Sequence, residues 1–118
     1  MAQLKHSDDH DMVVRKYSEL IAKNNPNKFG IQTLLSEGKS VKVADIIPDI
    51  LLLKEDGSVL TAIEVETVSS VGSDASTERW KQISGSVTEF QILLPKGTQA
   101  RAKRLCKKLG IKARLQEY

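Results

Sequence analysis

The chain has 118 residues, 40% of them hydrophobic and 28% charged, which suits one globular domain with one modest core. No apolar run is long enough to cross a bilayer, and the first residues, MAQLKHSDDHD, lack the apolar stretch of a signal peptide. The single cysteine, Cys106, excludes an internal disulfide. These features predict a cytoplasmic protein without membrane contact.

The net charge of +3 is unevenly distributed along the chain. From Pro95 onward there are eight lysines and arginines and one acid, so this part carries +7 and residues 1–94 carry −4. An acidic region beside a basic one suits metal-dependent chemistry on phosphodiesters, because the metal and the basic side chains both attract anions. The same pattern is equally typical of a surface helix that lysine and arginine keep in solution.

The first half of the chain predicts one helix and three strands. Residues 1–8 are expected to be frayed, and a helix begins near His10 and ends at Asn24-Asn25-Pro26. A short strand is predicted over 31–35, followed by two longer strands over 46–54 and 59–67. The first of the longer strands is nearly continuous in apolar residues, as expected of a strand covered on both faces.

The second half predicts alternating helices and strands: a helix over 74–84, a strand over 87–94, a helix over 99–109 closed by Gly110, and a last strand over 111–115. The resulting order is helix, three strands, helix, strand, helix, strand. This order predicts an α/β fold, in which a mixed sheet of about five strands carries helices on both faces. No linker or repeat interrupts residues 1–118, so we expect a single domain.

Three carboxylates lie within the apolar hairpin segment. Asp56-Gly57 is a strong two-residue turn signal, and if these residues form the turn, Asp49 lies directly across from Glu64. Glu66 lies two residues further and shares the face of Glu64. Like charges that face each other destabilise a sheet unless a cation lies between them, and Mg²⁺ or Mn²⁺ is the simplest candidate.

A solvated sheet face is the alternative interpretation of these acids. Their neighbours on that face are expected to be apolar and include Leu51, Leu53, Leu60 and Ala62, which favours a functional cluster. Other candidates are weaker. His6 and His10 are spaced like a metal pair but lie where a helix cap is expected, and Trp80 is expected to be a core anchor, since the chain has only five aromatic residues.

The acids and the element order resemble the PD-(D/E)XK, or restriction-endonuclease-like, nuclease superfamily. Its core is helix, three strands, helix and strand, commonly extended by a helix and a strand, so the likeness covers most of residues 10–115. It implies a three-layer sandwich. The family's two acids correspond to Asp49, in Pro48-Asp49, and to Glu64. The family's lysine is replaced by Glu66, as in some restriction enzymes of the superfamily, whereas other members carry the lysine on the following helix, where Lys81 or Gln82 could serve.

This resemblance implies a metal-dependent nuclease that hydrolyses phosphodiester bonds, in DNA rather than RNA. It implies that Asp49, Glu64 and the Val65 carbonyl bind Mg²⁺ or Mn²⁺, which polarises a phosphate oxygen and activates water. Glu66 would hold a second ion or accept a proton, and Lys81 would neutralise developing charge. Glu19 resembles a first-helix glutamate that some members use as an additional metal ligand.

Arg101, Arg104 and Lys108 form one stripe on the last predicted helix, and we expect this stripe to contact the nucleic-acid backbone. A homodimer is the expected assembly, because so small a chain offers little surface for gripping a duplex. Two alternatives stay open. One is a catalytically inactive nucleic-acid-binding or assembly module of the same fold, and the other is an unrelated small α/β domain that binds a nucleotide or a protein partner.

Overall fold

A computed structural model of the protein describes residues 8–24, 30–35 and 41–118. Of residues 1–8, which were expected to be frayed, residues 1–7 with His6 lie outside this part, whereas Asp8 begins the first helix. The elements follow the order that the sequence predicts, and the bounds of α2 and α3 agree with those predicted. They are α1 (Asp8–Asn24), β1 (Gly30–Thr33), β2 (Ile50–Leu53), β3 (Val59–Val65), α2 (Asp74–Ser84), β4 (Glu89–Leu94), α3 (Gln99–Leu109) and β5 (Arg114–Glu117).

The five strands form one mixed, open sheet in the order β1-β2-β3-β4-β5. The first three are antiparallel neighbours, and β4 and β5 run parallel to β3. Since parallel neighbours cannot be joined by a tight turn, α2 and α3 supply the two crossovers. The predicted mixed sheet of about five strands is therefore confirmed.

Helices cover both faces of the sheet. On one face, Val14 and its neighbours on α1 pack against Ile63 and Leu93. On the other face, Trp80 of α2 and Cys106 of α3 belong to a second apolar core. Trp80 is fully buried, as a core anchor should be. None of the helices in the described ranges is long and apolar enough to cross a membrane.

The turn of the β2–β3 hairpin differs from the predicted two-residue turn. Lys54 donates its N–H to Ser58, and Gly57 has a φ of 85°, so three residues form the loop. A bulge between Leu52 and Leu53 then shifts the register by one residue. Leu60 consequently packs on the α1 face rather than beside the carboxylates, and the expectation for Leu60 was wrong.

Beyond the bulge the pairing is the predicted one, with Ile50 opposite Ile63. The extra residue in β3 compensates for the longer loop. Asp49 and Glu64 are therefore the next opposed positions, as the count from the turn predicts.

Two strands begin later than predicted. The strand expected over 46–54 starts at Ile50, because Val43 and Ile46 bond to each other in a tight turn and Pro48 has no N–H to give to a ladder. The last strand starts at Arg114 rather than at residue 111, because Ile111 donates its N–H to the Cys106 carbonyl. The other ends differ by two residues or fewer.

Gly110 ends α3 in the left-handed region, with a φ of 70°. Its N–H bonds to Lys107 and that of Ile111 bonds to Cys106, which is the pairing of a Schellman motif. Gly85, which ends α2, has an ordinary helical φ of −75°. The two glycines thus occupy equivalent chain positions with different conformational demands.

We expect Gly110→Ala to lower the free energy of unfolding by about 1 kcal/mol, because a Cβ is unfavourable at a left-handed residue. Gly85→Ala is the matched control and should be neutral or slightly stabilising. Urea unfolding of both variants tests this. Equal losses in the two variants would show that the conformation of Gly110 is not what matters.

Candidate functional site

Two buried carboxylates interlock where β2 and β3 begin to separate. Asp49 and Glu64 are both fully buried. The N–H of Asp49 donates to Oε2 of Glu64 at 2.9 Å, and the N–H of Val65 donates to Oδ2 of Asp49 at 2.7 Å. At this point the two carboxylates accept the backbone N–H groups that backbone carbonyls would accept in a regular ladder. The structure thus brings together Asp49 and Glu64, which the sequence predicts to lie across from each other.

His10 joins this pair from the first helix. It is fully buried, with Nε2 3.2 Å from Oδ2 of Asp49 and Nδ1 2.9 Å from Oδ1 of Asp11. The sequence placed His10 in a capping region, whereas the structure places it at the carboxylates. A signal was available, since His10 lies four residues before the inward-facing Val14 and therefore on the same side of the helix.

Arg79 is the cation that α2 brings to the acids. Its Nε donates to Oε1 of Glu64 at 2.8 Å, and its Nη2 donates to Oε2 of Glu64 at 3.1 Å and to the carbonyl of Ile47 at 3.1 Å. This fork is the geometry in which arginine binds a carboxylate most strongly. Burial by itself would lower the pKa of Arg79, but the hydrogen bond and charge of Glu64, with the charges of Asp49 and Glu66, outweigh it and raise that pKa.

Lys81 and Gln82, the residues that the sequence offered for this role, are exposed. Gln82 donates to Glu78 one turn earlier on α2. Sequence reasoning missed Arg79, although it lies three residues after the buried Ser76 and shares its side of the helix. The cation that α2 places at the acids is therefore Arg79, two positions before Lys81.

Glu66 is fully buried and accepts hydrogen bonds from α2 and from the loop before it. Its Oε1 accepts from the hydroxyls of Ser70 and Ser76, each at 2.7 Å. Its Oε2 accepts from Nε1 of Trp80 at 3.0 Å. Hydrogen bonds from these three donors replace the hydration that the Glu66 side chain loses on burial. Glu66 thereby fastens α2 to β3.

The cluster offers two carboxylates, rather than three, as possible ligands for a divalent metal. In the described ranges, no group of three or more His, Cys, Asp or Glu side chains is placed to hold a metal ion. Mg²⁺ commonly takes only one or two carboxylates and completes its shell with water and substrate phosphate. The Asp49–Glu64 pair has this oxygen chemistry. The three donors directed at Glu66 make it unsuited to be a third ligand in this arrangement.

The other two metal ligands suggested by the sequence are placed differently from one another. The N–H of Val65 donates to Asp49. In a strand, the N–H and the carbonyl of one residue point toward the same neighbouring strand. The carbonyl of Val65 therefore lies on the side of Asp49. Glu19 is exposed on α1. It lies nine positions after His10, about 14 Å along the helix axis, so the structure does not bring Glu19 to the acids.

The basic stripe of α3 starts at the same edge of the sheet as the acids. Because β3 and β4 are parallel, their carboxyl ends share an edge, and α3 begins shortly after β4 ends. A Cβ placed on Gly72 would lie 2.7 Å from Nη2 of Arg101, so Arg101 lies against the loop that follows β3. Arg104 and Lys108 are also exposed and continue away from this edge for about 10 Å.

Comparison with known proteins does not identify a relative. The chain matches no protein-family model, no curated protein and no solved structure. What the site does must therefore be inferred from its own chemistry.

We expect Trp80→Phe to lower the free energy of unfolding by about 1–3 kcal/mol, because it removes a buried hydrogen-bond donor from the side chain of Glu66. The loss should be smaller when the change is made in a Glu66→Gln background, where the acceptor carries no charge. Chemical denaturation of the four proteins of this cycle measures the coupling. The same loss in both backgrounds would mean that ring volume, not the hydrogen bond to Glu66, sets the cost.

Tyr118 should make the protein less stable at alkaline pH. Its hydroxyl donates to the backbone carbonyl of Glu66 at 2.8 Å, and burial, with the charges of Asp9 and Glu66, raises its pKa above the usual 10.0. The folded state therefore holds this proton more tightly than the unfolded state. The resulting stability is complete below about pH 10 and is lost as the pH rises through the folded pKa.

Thermal melts from pH 8 to 11 test this, with Tyr118→Phe as the comparison. Burial also raises the pKa of Cys106, so part of the alkaline loss belongs to the thiol and should persist in the variant. The variant should be less sensitive than the parent only above about pH 10. Parallel curves for the two proteins would contradict the assignment.

Proposed function

We propose that the protein is a metal-dependent nuclease of the restriction-endonuclease-like fold, which hydrolyses phosphodiester bonds in nucleic acid, DNA rather than RNA. The observation that carries the proposal is the buried Asp49–Glu64 pair, interlocked across β2 and β3 with a helix cation bound to it. The element order agrees with the order that the resemblance implies. A buried acid pair with one bound cation is costly to maintain for stability alone.

In this proposal Asp49, Glu64 and the Val65 carbonyl would hold Mg²⁺ or Mn²⁺. The ion would supply Lewis-acid polarisation of a phosphate oxygen and a more acidic bound water. His10 orients Asp49 through its contact with Oδ2, much as a second layer of side chains orients metal ligands in general. Glu19 has no part in this arrangement.

Arg79 takes the role that the resemblance gives to a lysine. A guanidinium beside the acids can neutralise the charge that develops on the phosphoryl group. Its pKa is raised above that of an ordinary arginine, so it is charged at neutral pH. We therefore assign this role to Arg79 rather than to Lys81, and we assign Glu66 the role of anchoring α2 rather than that of a base or a second ligand.

The basic stripe of α3 is the proposed contact for the nucleic-acid backbone. Arg101, Arg104 and Lys108 are exposed, so their charges are available to phosphates. The stripe begins at the edge where the acids lie, and a strand bound along it would pass the site. A homodimer would extend the stripe onto a second copy.

We expect the purified protein to nick supercoiled plasmid with Mg²⁺ or Mn²⁺ and to stop when EDTA is added. Asp49→Asn, which keeps the size of the side chain, should reduce the rate by at least about a hundredfold. Glu55→Gln, which neutralises an exposed acid in the hairpin loop, is the control and should cut normally. Circular dichroism should show that both variants are folded.

Undiminished cutting by Asp49→Asn would remove the site assignment. The second candidate, a non-catalytic nucleic-acid-binding module of the same fold, is favoured by one observation, the forked hydrogen bonds of Arg79 that occupy both oxygens of Glu64. This candidate predicts salt-sensitive DNA binding without cleavage and no rise in melting temperature with Mn²⁺.

A further inference from the structure

A solvent-open cavity of about 410 Å³ lies beside the guanidinium that binds Glu64. Its lining combines two cations, one acid and three aliphatic side chains: Lys42, Arg79, Asp45, Leu34, Ile46 and Ile47. Cavities of this size hold small ligands, and a few polar groups on an apolar wall are typical of such sites. Neither the acid pair nor the basic stripe of α3 explains this cavity.

Hydrogen bonds at three points hold residues 41–47, the described part of the loop that borders the cavity. At its start, the side-chain amide of Gln32 bonds both to the N–H and to the carbonyl of Val41. Further along, Val43 and Ile46 exchange two backbone hydrogen bonds around Ala44 and Asp45. At its end, the carbonyl of Ile47 accepts from Arg79. The loop is thus fastened to β1 on one side and to the guanidinium of the site on the other.

The tight turn in this loop uses an unfavourable backbone conformation. Ala44 and Asp45 have φ values of 52° and 64°, in the left-handed region that glycine and asparagine usually occupy in such turns. Alanine has no side-chain group that could compensate for this strain. Strained residues that the surroundings hold in place are concentrated at ligand sites. The turn carries Asp45 to the wall of the cavity.

Arg79 has donors to spare for a ligand. A guanidinium has five N–H groups, and the bonds to Glu64 and Ile47 use the one on Nε and the two on Nη2. The two on Nη1 have no protein acceptor among the residues that the structure describes. Arg79 is also partly exposed, at 25% of its side chain. It can therefore bind an anion in the cavity while it stays bound to Glu64.

We propose that this cavity binds one unpaired nucleotide next to the phosphate that is cleaved. The phosphate of that nucleotide contacts Arg79 and Lys42, and its base lies on the aliphatic wall of Leu34, Ile46 and Ile47. Asp45 accepts a hydrogen bond from an exocyclic amino group, a group that cytosine has and uracil lacks. This inference rests on the proposed function and names its substrate class, a nucleic acid with unpaired bases at the cleavage site.

A base can enter a cavity only when it is not stacked inside a duplex. Single strands, frayed ends and flipped nucleotides meet this condition at the lowest cost. Base contacts with aliphatic and aromatic walls tolerate many sequences, whereas the amino group directed at Asp45 adds a preference at one position. The cavity thus favours unpaired nucleotides over those in a duplex, and its preference among bases is secondary.

The test is an NMR titration of ¹⁵N-labelled protein in EDTA, so that neither metal nor cleavage enters the result. The probes are 5′-CMP, 5′-UMP, cytidine and inorganic phosphate. 5′-CMP should shift the amide signals of residues 42–47 and bind at least about fivefold more tightly than cytidine, phosphate or 5′-UMP. The proposal would be overturned by comparable affinities for phosphate and 5′-CMP or by amide shifts confined to α3. It would also be overturned if no binding were detected at ligand concentrations on the order of 10 mM.

Three variants assign the contacts. Lys42→Met should weaken the binding of 5′-CMP and phosphate but not of cytidine. Ile47→Ala should weaken the binding of cytidine but not of phosphate. Asp45→Asn, which tolerates the left-handed backbone, should remove the preference for 5′-CMP over 5′-UMP. Lys54→Met, an exposed lysine at the far end of β2, is the matched control and should change nothing. Unchanged affinities in all three cavity variants would also overturn the proposal.

This test separates the two proposals. If nucleotides bind in the cavity but no condition gives cleavage, the cavity assignment survives and the nuclease assignment fails. If plasmid is cut in an Asp49-dependent manner but nucleotides do not bind at residues 42–47, the nuclease assignment survives and the cavity assignment fails.

Discussion

The buried carboxylate of Glu66 is the constraint on which the rest of the site depends. It accepts hydrogen bonds from a loop hydroxyl, from a helix hydroxyl and from the indole of Trp80, and so fixes α2 against β3. Arg79 is the neighbour of Trp80 on that helix, and its fork on Glu64 needs the helix in this position. Of the donors around Glu66, the indole N–H of Trp80 suits only an acceptor. A lysine at this position would leave the indole N–H without this acceptor.

Charge balance explains the rest of the cluster. Asp49 and Glu64 lie side by side in the interior, and burying either without compensation would cost several kcal/mol. Backbone N–H groups and Arg79 supply that compensation, and His10 lies beside Asp49. The acids are thus preorganised, with their orientations set before any ligand arrives.

Sequence patterns predicted the architecture better than the partners of the site. The order of the elements and the bounds of α2 and α3 followed from periodicity and from glycine and proline signals, because these are local properties of the chain. The opposition of Asp49 and Glu64 followed from counting along a hairpin. His10 and Arg79 were missed because their roles depend on how α1 and α2 pack on the sheet. Glu66 was placed on the correct face, but its donors come from a loop and a helix whose side chains a strand pattern does not describe.

The bulge in the β2–β3 hairpin has a consequence for how such sites can be recognised. Leu60 is an extra residue in β3 without a paired residue in β2. It offsets the third residue of the loop, so Ile50 still lies opposite Ile63. The number of residues between the two acids is therefore set by the loop and the bulge together and not by the chemistry at the acids. Chains with a shorter loop and no bulge, or with a longer loop and a second bulge, would present the same pair of oxygens. A search that demands a fixed interval would overlook them, whereas one that follows strand opposition would not.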